Sequence, residues 1–221
     1  MARITGIFGT ISGKVGDKVY YTRNGKNFVK SLPAPSGKPA SEKQLAQRQK
    51  FKIVMGFLSS ISGLINHSYH LINPKKTGLK VFSNDILAKG IKGKYPDFKI
   101  NYPEVRLLRG SLVRPECPFA RMKGSDQLYF KWFNRHLYSS PADELVIMIY
   151  CEALSRFFHS VDPGIKRSDA CGVIPLPSAF AGLKVYVWLA FRSPAQRSYS
   201  DSVYAGVIYP RKKSEGHENS K

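Results

Sequence analysis

Two short runs of alternating residues near the start of the chain predict a β-hairpin. The runs are Lys18–Arg23 and Lys26–Lys30, and successive side chains in each point to opposite faces. Asn24 and Gly25 lie between them, and this pair favours a two-residue type I′ turn because both of its positions need positive φ. Three prolines within residues 32–40 then predict an extended linker, because proline disfavours helix.

A long amphipathic helix is predicted directly after the linker. Ser41 and Gln44 have the spacing of a capping box, and apolar residues recur at helical spacing from there on. This helix is expected to end near Asn66–His70. A shorter helix is predicted at Phe82–Lys89, closed by Gly90.

Beyond residue 101 the pattern changes to short apolar strands without amphipathic helices between them. The predicted strands are Val105–Leu108, Gly110–Val113, Gln127–Trp132, Leu145–Cys151, Leu183–Phe191 and Val203–Tyr209. Strands at this spacing favour an antiparallel β-sandwich, and the missing cysteine pair favours the fibronectin-like version over the immunoglobulin one.

The predicted fold class is therefore α+β, with a basic hairpin, a linker and a long helix followed by a fibronectin-like sandwich. The predicted regions are 1–100 for the hairpin, linker and helix, 101–210 for the sandwich, and 211–221 for a flexible charged tail.

Composition limits the class of protein. The chain has 221 residues with 43% hydrophobic and 12% aromatic content, which excludes general disorder. No apolar run approaches the roughly 20 residues of a membrane span, so no membrane partner is expected. Three cysteines without metal-like spacing and a start without a signal-peptide pattern favour the cytoplasm. Association with a virion stays open, because virion proteins also lack such a signal.

The charge is large and uneven. Lys and Arg number 35 against 15 Asp and Glu, a net of +20, and the first hundred residues hold 18 of these cations and only four acids. A field of this size attracts polyanions in a salt-dependent way. The same charge also serves solubility, so it indicates a class of partner and does not identify one.

Motifs of enzymes and metal sites are missing from the sequence. The P-loop spacing fails because Phe8 stands at its first glycine and Val15 follows Gly13-Lys14. His67 and His70 are three residues apart, but two histidines without a nearby cysteine or carboxylate make a poor metal site. No catalytic residue, cofactor or metal is predicted.

Two further groups are interpreted as structural. Asp143 and Glu144 fall in a predicted loop, where adjacent acids are usually solvated. Cys151 lies within an apolar strand and is expected in the core. The protein is accordingly predicted to be non-enzymatic.

The candidate site is instead a basic surface over residues 14–52. Its cations are expected to bind phosphates while an exposed ring stacks on a base. The predicted nucleic-acid-binding residues are Lys14, Lys18, Tyr20, Arg23, Lys26, Lys30, Lys38, Lys43, Arg48, Lys50 and Lys52. No element suited to reading base edges is evident, so binding should be independent of sequence. The alternative is that Tyr21 and Phe28 fill a small core and the lysines only prevent aggregation of the hairpin.

Several motifs resemble those of an uncharacterised bacterial domain-of-unknown-function family. The first three are a glycine-rich start at Gly9–Gly16, the end of the hairpin at Val29–Pro33 and a helix motif at Ser41–Phe51. The others are a middle block at Ile91–Phe98 and Arg109–Leu112, and two motifs near the end at Leu176–Phe180 and Ser200–Gly206. A looser likeness extends to proteins of phages and mobile elements. The resemblance implies no established activity and no catalytic residues.

Two functions follow as expectations. The first is sequence-independent association with the phosphate backbone of nucleic acid through the N-terminal basic surface, or with an acidic protein. The second is a structural or interaction component of a phage-like or mobile-element assembly that does not touch nucleic acid, in which the hairpin adds to a neighbour's sheet.

Overall fold

The computed structural model describes residues 3–4, 11–23, 25–34, 37–134 and 140–210. The helices in these ranges are α1 (Glu42–Ser59), α2 (Ser62–His70) and α3 (Gly78–Lys89). The strands are β1 (Arg3–Ile4), β2 (Ile11–Val15), β3 (Lys18–Arg23), β4 (Lys26–Ser31), β5 (Ile91–Lys92), β6 (Lys99–Ile100), β7 (Glu116–Lys123), β8 (Gln127–Phe133), β9 (Glu144–Cys151), β10 (Arg156–Lys166), β11 (Cys171–Pro175), β12 (Val185–Ser193), β13 (Ser198–Tyr199) and β14 (Val203–Ile208).

The chain divides into two compact units, residues 1–41 and residues 42–221. This division differs from the predicted boundary near residue 100, because the three helices group with the sandwich strands and not with the hairpin. The predicted tail, residues 211–221, lies outside the described residues.

The first unit is an antiparallel sheet in the order β1-β2-β3-β4. Its central hairpin, β3 and β4, is the predicted one, and Gly25 adopts the positive φ of +74° that the turn requires. Asn24 lies outside the described residues. The linker has no regular secondary structure in its described parts, 32–34 and 37–40, as predicted.

The second unit has three layers. A three-stranded sheet, β11-β8-β7, packs on one face of a five-stranded sheet that contains β10, β9, β12, β13 and β14. The helices cover the other face of the five-stranded sheet. All of these pairings are antiparallel, so the α+β class and the β-sandwich are confirmed.

The continuous apolar runs of β9 and β12 follow from their central position. In β9, Leu145, Ile147 and Ile149 pack towards the three-stranded sheet, and Val146 and Met148 pack towards the helices. A strand that is buried on both faces needs apolar residues at every position and loses its alternation.

The predicted long helix is broken into α1 and α2. The Ser59 hydroxyl donates to the Gly56 carbonyl at 2.9 Å, and the Ser62 hydroxyl donates to the Ser59 carbonyl at 2.9 Å. Such local side-chain bonds compete with the helical ladder. The shorter predicted helix is confirmed as α3, which begins four residues earlier than predicted and ends at Lys89, with Gly90 as its C-cap.

Two predicted strands, over 105–108 and 110–113, form only an isolated bridge between Leu112 and Ser200. Part of their backbone is hydrogen-bonded by side chains: the N–H groups of Leu107 and Leu108 donate to the Ser202 hydroxyl at 2.8 and 3.1 Å. Strands β7, β10 and β11 were not predicted. They lie at sheet edges, where half-exposed residues weaken the apolar pattern.

The helix-facing core contains a group of buried tyrosines. Burial is the main cause that raises the pKa values of Tyr102, Tyr150 and Tyr186 above their ordinary value. These phenols therefore stay protonated in the folded protein under conditions in which they ionise in the unfolded chain.

The free energy of unfolding is expected to fall as the pH rises above about 10, where the unfolded chain loses its phenolic protons. Each tyrosine that stays protonated only when folded contributes a slope of about 1.4 kcal/mol per pH unit. Urea unfolding between pH 8 and about 11.5 measures this slope. The variant Tyr102→Phe should have a shallower slope, and an identical slope in both proteins would contradict the prediction.

Candidate nucleic-acid interface

The pairing of β2, β3 and β4 gathers cations and rings on one face of the first unit. Lys14 lies beside Val19 and Val19 beside Lys30, while Tyr21 pairs with Phe28 and Arg23 with Lys26. Positions that are two residues apart on a strand share a face. We call this side the cationic face, and its members are Lys14, Tyr21, Arg23, Lys26, Phe28 and Lys30.

The two rings lie between two groups of cations. Tyr21 and Phe28 stack on each other with centroids 5.5 Å apart and ring planes inclined by 19°. They remain 39% and 41% exposed. Lys30 places its Nζ 5.6 Å from the Tyr21 centroid. Each group of cations lies two residues along the strands from the rings, a distance of about 7 Å.

The charge of this face is not balanced within its own unit. Residues 1–41 contain seven Lys and Arg residues and one acid, Asp17, a net of +6. Within the described ranges, none of the four cations forms an ion pair. Arg23 and Lys26 lie directly opposite each other, an arrangement that is unfavourable between like charges. The face is therefore set up to attract an anion.

Comparison with known sequences places the chain in a family. The profile of a family of unknown function, DUF6266, matches residues 10–206. The chain belongs to DUF6266. The matched range begins just before Lys14, so it includes the cationic face as well as nearly the whole sandwich.

Other comparisons add little to the DUF6266 assignment. No curated protein matches the chain. One solved structure that resembles it is the solution structure of the fn3 domain of human collagen alpha-1(XX) chain, with 14% identity and a TM-score of 0.37. That match covers 49% of this chain and 94% of the fn3 chain.

The cationic face of this DUF6266 chain differs from the predicted set of residues. Lys18 and Tyr20 lie on the opposite face of the sheet, where Tyr20 pairs with Val29 and Lys18 pairs with Val15. Tyr20 is therefore not the ring beside the cations. Tyr21 and Phe28 hold that position instead, and their exposure shows that they do not form a buried core.

A signal for this arrangement was present in the sequence. A two-residue Asn-Gly turn pairs Arg23 with Lys26, which in turn pairs Tyr21 with Phe28. Counting back from the turn would have placed both rings and these cations on one side.

The other predicted cations are divided between the units. Lys38 is exposed in the linker of the first unit. Lys43, Arg48, Lys50 and Lys52 lie on α1 in the second unit. Helical spacing puts Lys43 and Lys50 on one side of α1 and Arg48 and Lys52 on another. Lys50 contacts the Phe98 ring, with Nζ 4.7 Å from its centroid. The predicted basic surface thus draws on both units, and its cations on α1 lie on two sides of that helix.

The other residues considered in the sequence, the histidine pair and Cys151, were also located in the structure. The His67 ring lies edge-on to Tyr199 at 6.2 Å. No cluster of three His, Cys, Asp or Glu side chains suited to a metal ion occurs in the described part of the chain. Cys151 is buried, as predicted. None of the helices in the described ranges has the length and apolar character needed to cross a bilayer.

Asp143 is not a solvated loop acid, contrary to our interpretation. Its side chain is 2% exposed, and its Oδ2 accepts from Arg167 Nη2 at 2.9 Å and from Arg167 Nε at 3.0 Å. The Asp143–Arg167 pair contributes to the packing of the sandwich, because Arg167 Cζ also lies 3.9 Å from the centroid of the Phe191 ring.

Proposed function

We propose that the cationic face binds the phosphate backbone of nucleic acid, without sequence preference and without catalysis. The observation that carries the proposal is the exposed Tyr21–Phe28 stack between cations that have no acidic partner in the described ranges. Cations bind phosphates and release counterions, while exposed rings stack on bases of any identity. The sandwich, which we interpret as fibronectin-like, acts as a scaffold or partner-binding module.

The two rings favour a single strand over a duplex. Base faces in a duplex are already stacked, whereas unpaired bases are free to stack on Tyr21 and Phe28. The cations alone would bind both forms. The variant Tyr21→Ala/Phe28→Ala should therefore weaken single-strand binding more than duplex binding.

The main test is a salt titration of full-length protein against labelled single-stranded and duplex oligonucleotides of mixed sequence. Fluorescence anisotropy at salt concentrations between about 50 and 200 mM gives the slope of log affinity against log salt. If all four cations contact phosphates, they contribute about −3 to the slope for a single strand. The variant Lys14→Gln/Arg23→Gln/Lys26→Gln/Lys30→Gln should lose most of this contribution and bind at least about tenfold more weakly at 100 mM salt.

A matched control separates the cationic face from overall charge. The variant Lys75→Gln/Lys76→Gln/Lys80→Gln/Lys123→Gln removes the same charge from exposed positions of the second unit. It should keep the salt slope of the wild type. Equal losses in both variants would contradict the proposal. Absence of binding at low salt, together with oligomers that grow with concentration, would overturn it in favour of an assembly component.

A further inference from the structure

A cleft of about 890 Å³ opens within the second unit, and no residue of the cationic face lines it. Its walls come from α1, the β5–β6 hairpin, the 102–104 turn and the ends of β9, β12 and β14. Clefts of about 300–1,000 Å³ are typical of small-molecule sites. All of its lining residues lie in residues 42–221, so the cleft does not depend on the position of the first unit.

Lysines form the rim of this cleft. They are Lys52, Lys92, Lys99 and Lys184. Lys92 and Lys99 lie directly opposite each other in the two-residue ladder of β5 and β6. Like charges in this position are destabilising. In the described part of the chain, none of the four rim lysines forms an ion pair. A bound anion would relieve this repulsion.

The floor of the cleft consists of tyrosines, and one exposed acid, Glu152, lies beside them. Tyr102 and Tyr186 stack with centroids 3.8 Å apart, and both are largely buried. The Tyr186 hydroxyl donates to Glu152 Oε2 at 3.0 Å. Both phenols are hydrogen-bond donors at neutral pH, because the ordinary pKa of tyrosine is about 10 and burial raises the pKa values of these two further. Glu152 is the acidic side chain of the lining and adds acceptor oxygens beside them.

We infer that this cleft binds a small phosphorylated ring compound, with its phosphate at the lysine rim and its ring over the tyrosine floor. The charge of four lysines against Glu152 selects an anion. The volume exceeds the needs of a lone phosphate, and the tyrosine floor suits the flat surface of a ring. Glu152 accepts from a hydroxyl or amino group on that ring. Nucleoside monophosphates and sugar phosphates share this chemistry.

Isothermal titration calorimetry of the full chain tests the inference and separates the two sources. The probes are adenosine and guanosine monophosphate, glucose 6-phosphate, inorganic phosphate and unphosphorylated adenosine. We expect at least one phosphorylated ring compound to bind at least about tenfold more tightly than inorganic phosphate and than adenosine. Binding of the nucleotides alone would assign the site to nucleotides, and binding of glucose 6-phosphate alone would assign it to sugar phosphates.

Variants place the binding in the cleft. Lys92→Gln/Lys99→Gln should weaken binding at least about tenfold, whereas Lys75→Gln/Lys76→Gln, with the same charge change, should leave it unchanged. The four-cation variant of the cationic face should also bind the small ligand normally, which makes the test independent of the proposed function. No binding by any phosphorylated ring compound, binding no tighter than that of inorganic phosphate, or full affinity in Lys92→Gln/Lys99→Gln would overturn the inference.

Discussion

Replacing Phe57 by alanine is expected to lower the free energy of unfolding of the second unit by about 3–5 kcal/mol. Phe57 is 2% exposed and projects from α1 into the helix-facing core. Its ring centroid lies 4.7 Å from that of Tyr150 and 5.0 Å from that of Phe157, both on the five-stranded sheet. Removing the ring leaves a cavity where the helix layer meets the sheet, and the surrounding rings cannot fill it completely.

Urea unfolding followed by tryptophan fluorescence measures this loss. Both tryptophans of the chain, Trp132 and Trp188, are buried in the second unit and report on it alone. The matched control is Phe51→Ala on the same helix, where the ring is 51% exposed, and its effect should be within about 0.5 kcal/mol of zero. Equal effects in the two variants would contradict the packing of α1 against the sheet. If the helices and the sandwich unfolded in separate urea transitions, the predicted domain boundary near residue 100 would be favoured.

Replacing Arg167 by methionine is expected to cost about 3–5 kcal/mol, because it leaves Asp143 buried without its counter-ion. The two side chains are 4% and 2% exposed. Arg167 Nη2 also donates to the Val113 carbonyl at 2.7 Å, and the Arg167 carbonyl accepts from Trp132 Nε1 at 3.1 Å. The substitution removes the guanidinium bonds to Asp143 and Val113, whereas the backbone carbonyl of residue 167 still accepts from Trp132.

The double variant Arg167→Met/Asp143→Asn distinguishes loss of charge balance from loss of packing. Removing both charges should recover a large part of the stability, since a buried pair replaced by neutral groups often costs little. Arg156→Met, at an exposed position of β10, is the matched control and should change stability by less than about 0.5 kcal/mol. A double variant as unstable as Arg167→Met would show that the unpaired Asp143 charge is not the cause.

Locally encoded elements were predicted well. The hairpin of β3 and β4 follows from Asn24-Gly25 between alternating residues, and α3 follows from apolar spacing ended by Gly90. The four sandwich strands with the strongest apolar runs, β8, β9, β12 and β14, were also predicted. Each of these patterns depends only on residues within one turn, one helix or one strand.

Elements with weaker local patterns were missed. Strand β10 contains a register shift between Asp162 and Lys166, and β7 contains one between Glu116 and Phe119. A bulge reverses the alternation along the strand, so a period of two is not visible in the sequence. The predicted Tyr20 also lies on the opposite face from Tyr21 and the stacked rings, because one position along a strand changes the face.

Residues close together along the chain thus determined the type of most elements and the presence of a basic hairpin. The composition of the chain determined its strong positive charge. Only the tertiary structure decided that the helices join the sandwich, that Asp143 meets Arg167 from 24 positions away, and that lysines from α1, β5, β6 and the segment before β12 surround one cleft. The physical reason is the distance along the chain over which each interaction acts. Turn geometry and strand or helix periodicity act between near neighbours, whereas burial and charge pairing depend on which distant segments share a core.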